Sequence, residues 1–199
     1  MEYMFRDLKA SEIDCRVSTF TKDFLTLLLY KDARVDQDIL DETVKPYNWQ
    51  RKHNRDNANC VVEIWDSEKQ QWIGKEDTGK ESFSEAEKGL ASDSFKRACF
   101  NWGIGRELYT APFIYIPSKD KDGKENYELK EKNGKATTNT KFEVEKIQII
   151  NKEITALAIK NNKGKRVFVW QKEVKKNEKT NKEELDPHDK RQFDGSGKA

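Results

Sequence analysis

The chain has 199 residues, enough for one domain with a sizeable core, or one domain and a tail. Its 38 Lys and Arg oppose 36 Asp and Glu, a net charge of +2, which excludes both a uniformly basic nucleic-acid binder and an acidic solvating chain. Hydrophobic residues at 35% are few and aromatics at 11% are many, so a folded part diluted by a polar part is expected.

Glu12 to Val17 and Leu25 to Lys31 read as strands joined by a turn near Thr21 to Asp23. Val35, Ile39, Leu40 and Val44 recur on one helical face, and Pro46 ends that helix. Cys60 to Trp65 and Gln71 to Lys75 are two further strands, with Asp66 to Lys69 as the turn between them. The strongest helix signal starts at Ser84. Ser84-Glu85-Ala86-Glu87 fits a capping box, and Ala86, Leu90, Ala91, Phe95, Ala98, Cys99 and Trp102 follow at helical spacing. Gly103 and Gly105 supply its stop. These elements make a β-β-α-β-β-α core of the α+β class. Residues 118–141 are polar, with Asp122-Gly123 and Asn133-Gly134 as turns, and predict a long loop or loose hairpin. Phe142 to Ile150, Ile154 to Lys160 and Lys165 to Gln171 predict an accessory three-strand β-meander.

The expected division is a core over 1–117, a polar loop over 118–141, the meander over 142–171 and a charged tail over 172–199. From Gln171 to Ala199 only Val174, Leu185, Phe193 and Ala199 are apolar. Four such residues cannot offset the entropy of ordering 29, so a disordered tail is expected. Cys15, Cys60 and Cys99 lack CxxC spacing, which points to free thiols rather than a disulfide framework or a zinc site. Met1 to Ala10 has no apolar signal core, and the run Leu27 to Tyr30 is far too short to span a bilayer. A soluble cytoplasmic protein without a membrane partner is the expectation.

No catalytic motif emerges. There is no GxxxxGK[ST] loop, no GxSxG and no HExxH, and Gly103-Ile104-Gly105-Arg106 follows a helix where a dinucleotide site needs a strand. His53 sits among Lys52, Asn54 and Arg55 and reads as a solvated loop residue. No carboxylate pair stands out for a metal-dependent nuclease. No enzyme and no cofactor are therefore expected.

Binding gives two weak signals. Lys96 and Arg97 sit near the end of an otherwise apolar helix, beside Phe100 and Trp102. They read either as surface residues with buried stems or as phosphate contacts beside a groove. Tyr47-Asn48-Trp49-Gln50-Arg51-Lys52-His53-Asn54-Arg55 joins aromatics to Arg51, Lys52 and Arg55. It reads either as a core Trp before an exposed loop or as a stacking and phosphate-binding surface.

Glu76-Asp77-Thr78-Gly79, then Ala91-Ser92-Asp93-Ser94-Phe95-Lys96-Arg97-Ala98 and Trp102-Gly103, resemble the single-strand annealing proteins of the Rad fifty-two superfamily. Leu29-Tyr30-Lys31-Asp32-Ala33-Arg34, Asn48-Trp49-Gln50-Arg51 and Gly103-Ile104-Gly105-Arg106-Glu107-Leu108-Tyr109 look like blocks of its phage Sak-type branch. The resemblance covers about Leu8 to Ile116. It implies a β-β-β-α type recombinase core, an antiparallel sheet with a long packed helix, that assembles into a homo-oligomeric ring or arc. It also implies that the chain binds single-stranded DNA and anneals it to a complementary strand without ATP, in a bacterial host if phage-encoded.

Lys96 and Arg97 match the family's Lys-Arg pair at the floor of the DNA groove, and Arg16 looks like the basic residue on the first strand that joins them. Arg106 falls in the last matching block and counts as a further DNA-binding candidate. Phe100 stands where the family's helix often carries another basic residue. The family's outer, second-strand site is not assigned by the match; Lys75 and Lys80 are the candidates for it. The tail offers an attachment for a single-stranded DNA-binding protein. Two rival expectations are a passive single-strand binder, which would hide base edges, and a metal-dependent nuclease.

Overall fold

A computed structural model describes residues 4–80, 86–132 and 135–173. The first half of the expected capping box, the Asn133-Gly134 turn and the tail from Val174 lie outside the described residues.

The elements follow in the order β1 (Asp14–Phe20), β2 (Phe24–Tyr30), α1 (Ala33–Val44), β3 (Trp49–Asn54), β4 (Asn59–Asp66), β5 (Gln71–Thr78), α2 (Ala86–Trp102), β6 (Ile114–Pro117), β7 (Lys130–Lys132), β8 (Lys135–Thr137), β9 (Phe142–Ile150), β10 (Glu153–Asn161) and β11 (Arg166–Gln171). A short 3-10 turn, Ala10–Glu12, precedes β1, and another, Arg106–Thr110, follows α2. The protein is of the α+β class. Every strand pairing among the described residues is antiparallel.

The strands form a six-stranded sheet in the order β11-β10-β9-β1-β2-β6, a three-stranded sheet β3-β4-β5 and a small β7-β8 pair. The meander β9-β10-β11 is hydrogen-bonded into the sheet that holds β1 and β2, through Asp14 opposite Glu143. Three strands in sequence, β3 to β5, are covered by α2, whose Phe95, Ala98 and Cys99 are buried with Cys60, Val62 and Ile64 of β4. Alternation along β4 (buried at Cys60, Val62 and Ile64, half-buried at Val61, Glu63 and Trp65) is what a strand with one covered face requires. Ile39, Leu40 and Val44 seat α1 in the same core.

β3 was not expected from the sequence, and the reason is visible in its contacts. Its face toward α2 carries Trp49, Arg51 and His53, of which Arg51 stays exposed. Trp49 stacks on Phe95 with ring centroids 6.1 Å apart, and the Arg51 guanidinium carbon lies 4.7 Å from the same ring's centroid. His53 Nδ1 is 3.5 Å from Ser94 Oγ. Two polar side chains hold positions where an apolar alternation would have been readable. Gln50 and Lys52 point the other way and meet Glu63 of β4, each at 2.8 Å.

The polar stretch 118–141 is largely irregular, but it is anchored. Asn126 and Tyr127 are buried, and the Tyr127 ring makes an edge contact with Phe20 at 5.5 Å. Among the described residues no helix is long and apolar enough to cross a membrane.

Candidate nucleic-acid groove

A groove of about 890 Å³ opens between the β1–β2 hairpin, α2 and the turn after α2. Its basic lining is Arg16 of β1, Lys31 just past β2, and Lys96 and Arg97 of α2. Its apolar lining includes Leu28, Tyr30, Phe100 and Tyr109. The antiparallel register sets one wall. Arg16 lies opposite Leu28 and Asp14 opposite Tyr30, so Arg16, Leu28 and Tyr30 share the outward face of the hairpin. The other wall is one side of α2, where Asp93, Lys96, Arg97 and Phe100 recur at helical spacing.

The charges differ in how far they are compensated. Arg97 Nε donates to Asp93 Oδ2 at 2.8 Å, and this partner holds the guanidinium pKa up. Lys31 donates to both Asp36 carboxylate oxygens, with both side chains out of solvent. Arg16 and Lys96 form no ion pair or side-chain hydrogen bond among the described residues. The groove thus presents two cations outside any ion pair among the described residues and one guanidinium shared with a carboxylate, arranged around exposed Tyr30 and Tyr109, 43% and 67% accessible. Such a surface suits an anionic chain bearing aromatic faces.

Asp36 lies beneath this lining. Burial pushes its carboxyl up to about 6, against the opposing pull of Lys31, Lys96 and the Cys99 thiol. The Cys99 thiol is itself pushed well above its ordinary value by burial, and burial raises Cys15 to about 12 and Cys60 to about 11. These thiols stay protonated, consistent with packing roles rather than nucleophilic ones. Among the described residues no group of three or more His, Cys, Asp or Glu could hold a metal ion.

The other sequence-derived candidates lie outside the groove lining. Arg51 is exposed, with its guanidinium over the Phe95 ring. Lys52 is paired with Glu63 on the opposite face of its sheet. Arg55 sits in the β3–β4 turn with φ 51°. Lys75 Nζ donates to Asn101 O at 2.8 Å and lies 4.4 Å from the Trp102 ring centroid. The Lys80 backbone N–H donates to Asp93 Oδ2, which brings the end of β5 close to the groove wall. Arg106 donates to the carbonyls of Phe100 and Asn101. Lys75 and Arg106 therefore satisfy the carbonyls left open at the C-terminus of α2. Tyr30, Tyr109 and Lys31 were not among the candidates. Their spacing in sequence, 30, 31 and 109, carries no local sign that they meet.

The sequence matches no protein-family model, and it matches neither a curated protein nor a solved structure.

Proposed function

We propose that the protein binds single-stranded DNA in this groove and promotes its annealing to a complementary strand without nucleotide hydrolysis, as a homo-oligomer in the cytoplasm. The observation that carries the reading is the convergence of Arg16, Lys96 and Arg97, two elements and about 80 residues apart in sequence, on one groove. The resemblance of the α2 region to single-strand annealing proteins supports it. Contacts to phosphate are independent of sequence, which annealing of arbitrary strands requires. A groove with few cations per chain binds weakly alone; repetition in an oligomer raises the effective concentration of sites.

The exposed Tyr30 and Tyr109 favour one alternative, passive binding in which bases stack on the rings and their edges are hidden. A single experiment separates the two. Complementary oligonucleotides are annealed without nucleotide, with wild type and with Lys96→Ala/Arg97→Ala. Acceleration by wild type and its loss in a folded double variant is the expected result. Slowed annealing by wild type would favour the passive binder, and normal annealing by the double variant would remove the groove assignment.

A further inference from the structure

Lys31 is the least expected member of the groove. A lysine is almost never fully buried unless paired, yet this residue is 2% exposed and its partner Asp36 0%. The pair joins three parts of the chain. Lys31 follows β2, and Asp36 lies in the first turn of α1. The Lys31 ammonium lies 4.6 Å from the Phe100 ring centroid at the end of α2, and the Cys99 thiol of that helix neighbours Asp36. The lysine stem fills the space at Gly105, where a Cβ would fall 2.1 Å from Lys31 Cε. Gly105 also has φ 70°, so both the backbone and the stem require glycine there.

A buried ion pair is seldom more stable than well-packed apolar residues of the same volume, so stability does not account for this one. What it supplies is direction. It grips two adjacent residues of α2, Cys99 and Phe100, from one side. That contact adds to the restraint that the buried Phe95, Ala98 and Cys99 place on the rotation of the helix, and Lys96 stands one turn before Phe100 on the groove wall. Phe100 is further held by an edge contact with Tyr109 at 5.0 Å.

We propose that Lys31 and Asp36 are positioning residues of the groove, a buried clamp that sets the rotation of α2 and so the placement of Lys96 toward a bound phosphate. The clamp rests on the reading of the groove as a site for single-stranded DNA. It makes no contact with DNA itself, because its charges are enclosed and mutually satisfied.

The test compares wild type, Lys96→Ala and Lys31→Met/Asp36→Leu, each titrated with a fluorescent oligothymidylate over a range of salt concentrations. The double variant removes both charges together and keeps side-chain bulk. It is expected to melt at or above the wild-type temperature and to bind more weakly. Its salt slope should be shallower by about 0.7, the value for one phosphate contact on a single strand, and should match that of Lys96→Ala. A merely structural pair would change the melting temperature and leave the slope unchanged. If the first pair of substitutions fails to fold, Lys31→Gln/Asp36→Asn, which keeps a donor and acceptor across the gap, is measured in the same way. A folded variant of either kind with wild-type affinity and slope overturns the clamp while leaving the groove reading intact. A wild type that binds no oligonucleotide overturns both. Failure of both double variants to fold assigns the pair to stability and overturns the positioning role.

Discussion

Asp93 holds Arg97 at 2.8 Å across one turn of α2, and the same carboxylate oxygen accepts the Lys80 backbone N–H at 2.8 Å. One acid therefore restrains the groove's guanidinium and ties the end of β5 to the helix. Replacing it with Asn removes the charge but keeps an acceptor for Lys80. Arg97 is then free to turn to a phosphate, and a negative charge leaves the groove. Single-stranded DNA should bind about two- to tenfold more tightly to Asp93→Asn, the range expected for one charge roughly 3–10 Å from a phosphate at a dielectric near that of water. Fluorescence anisotropy at fixed salt checks this, and unchanged or weaker binding by a folded variant would count against DNA in the groove.

Lys75 and Arg106 should separate from the groove cations in their behaviour. Both donate to carbonyls at the C-terminus of α2, where cations favour the helix dipole. Lys75→Ala and Arg106→Ala are each expected to lower stability by about 1 kcal/mol, measured by urea unfolding. The salt slope of DNA binding should stay at the wild-type value in both. A slope reduced by about 0.7 in either would mean that the side chain leaves its carbonyl to bind phosphate.

Much of the architecture was readable because it depends on local pattern. Ile39, Leu40 and Val44 announce α1, and Phe95, Ala98 and Cys99 announce the buried face of α2. The meander strands were expected within one residue of their ends. What local pattern could not show was any feature created by distant packing. β3 hides because Arg51, exposed above the Phe95 ring, and His53, half-buried beside Ser94, stand on its face toward α2 and break any apolar alternation. Lys31 looked like the polar end of a strand; its burial depends on Asp36, Phe100 and Gly105 arriving together. In the candidate site, Lys96 and Arg97 are neighbours in sequence and were readable as a pair. Their joining with Arg16 follows from the hairpin register, and the match of motifs rather than spacing suggested it.

Gly79 provides a sharp test of how β5 is set against α2. A Cβ there would lie 2.6 Å from Ser94 N and 2.7 Å from Leu90 O, both backbone atoms of the helix. The Gly79 N–H donates to Ala58 O at 2.7 Å, so the strand end is held from the other side and cannot retreat. Gly79→Ala should destabilise the protein by about 1–3 kcal/mol, as overpacking against an unyielding wall does. Thermal unfolding measures it. A neutral effect would mean that β5 and α2 separate more easily than their contacts indicate. DNA binding by the variant should weaken in parallel, because Lys96 and Arg97 ride on the helix that has to shift.

Asp32 couples the start of α1 to pH. Its side chain accepts from the Arg34 backbone N–H at 2.8 Å as the N-cap, and it also accepts from the Arg34 guanidinium. The guanidinium bond first, and the backbone bond second, lower its carboxyl from 3.8 to about 2. A carboxyl depressed in the folded state adds stability above its unfolded value, and that stability is lost as pH falls toward the folded value. The affected window is therefore pH 4 to 2. Asp32→Asn keeps a good cap and removes the titration, whereas Asp32→Ala also loses the cap, about 1 kcal/mol. At pH 7 the expected order of stability is wild type, then Asn, then Ala. By pH 2, where the folded carboxyl is half protonated, most of the advantage of wild type over Asn should be lost, while Ala stays below Asn. Urea unfolding at the two pH values checks both steps, and an advantage over Asn that is undiminished at pH 2 would show that the depressed carboxyl is not its source.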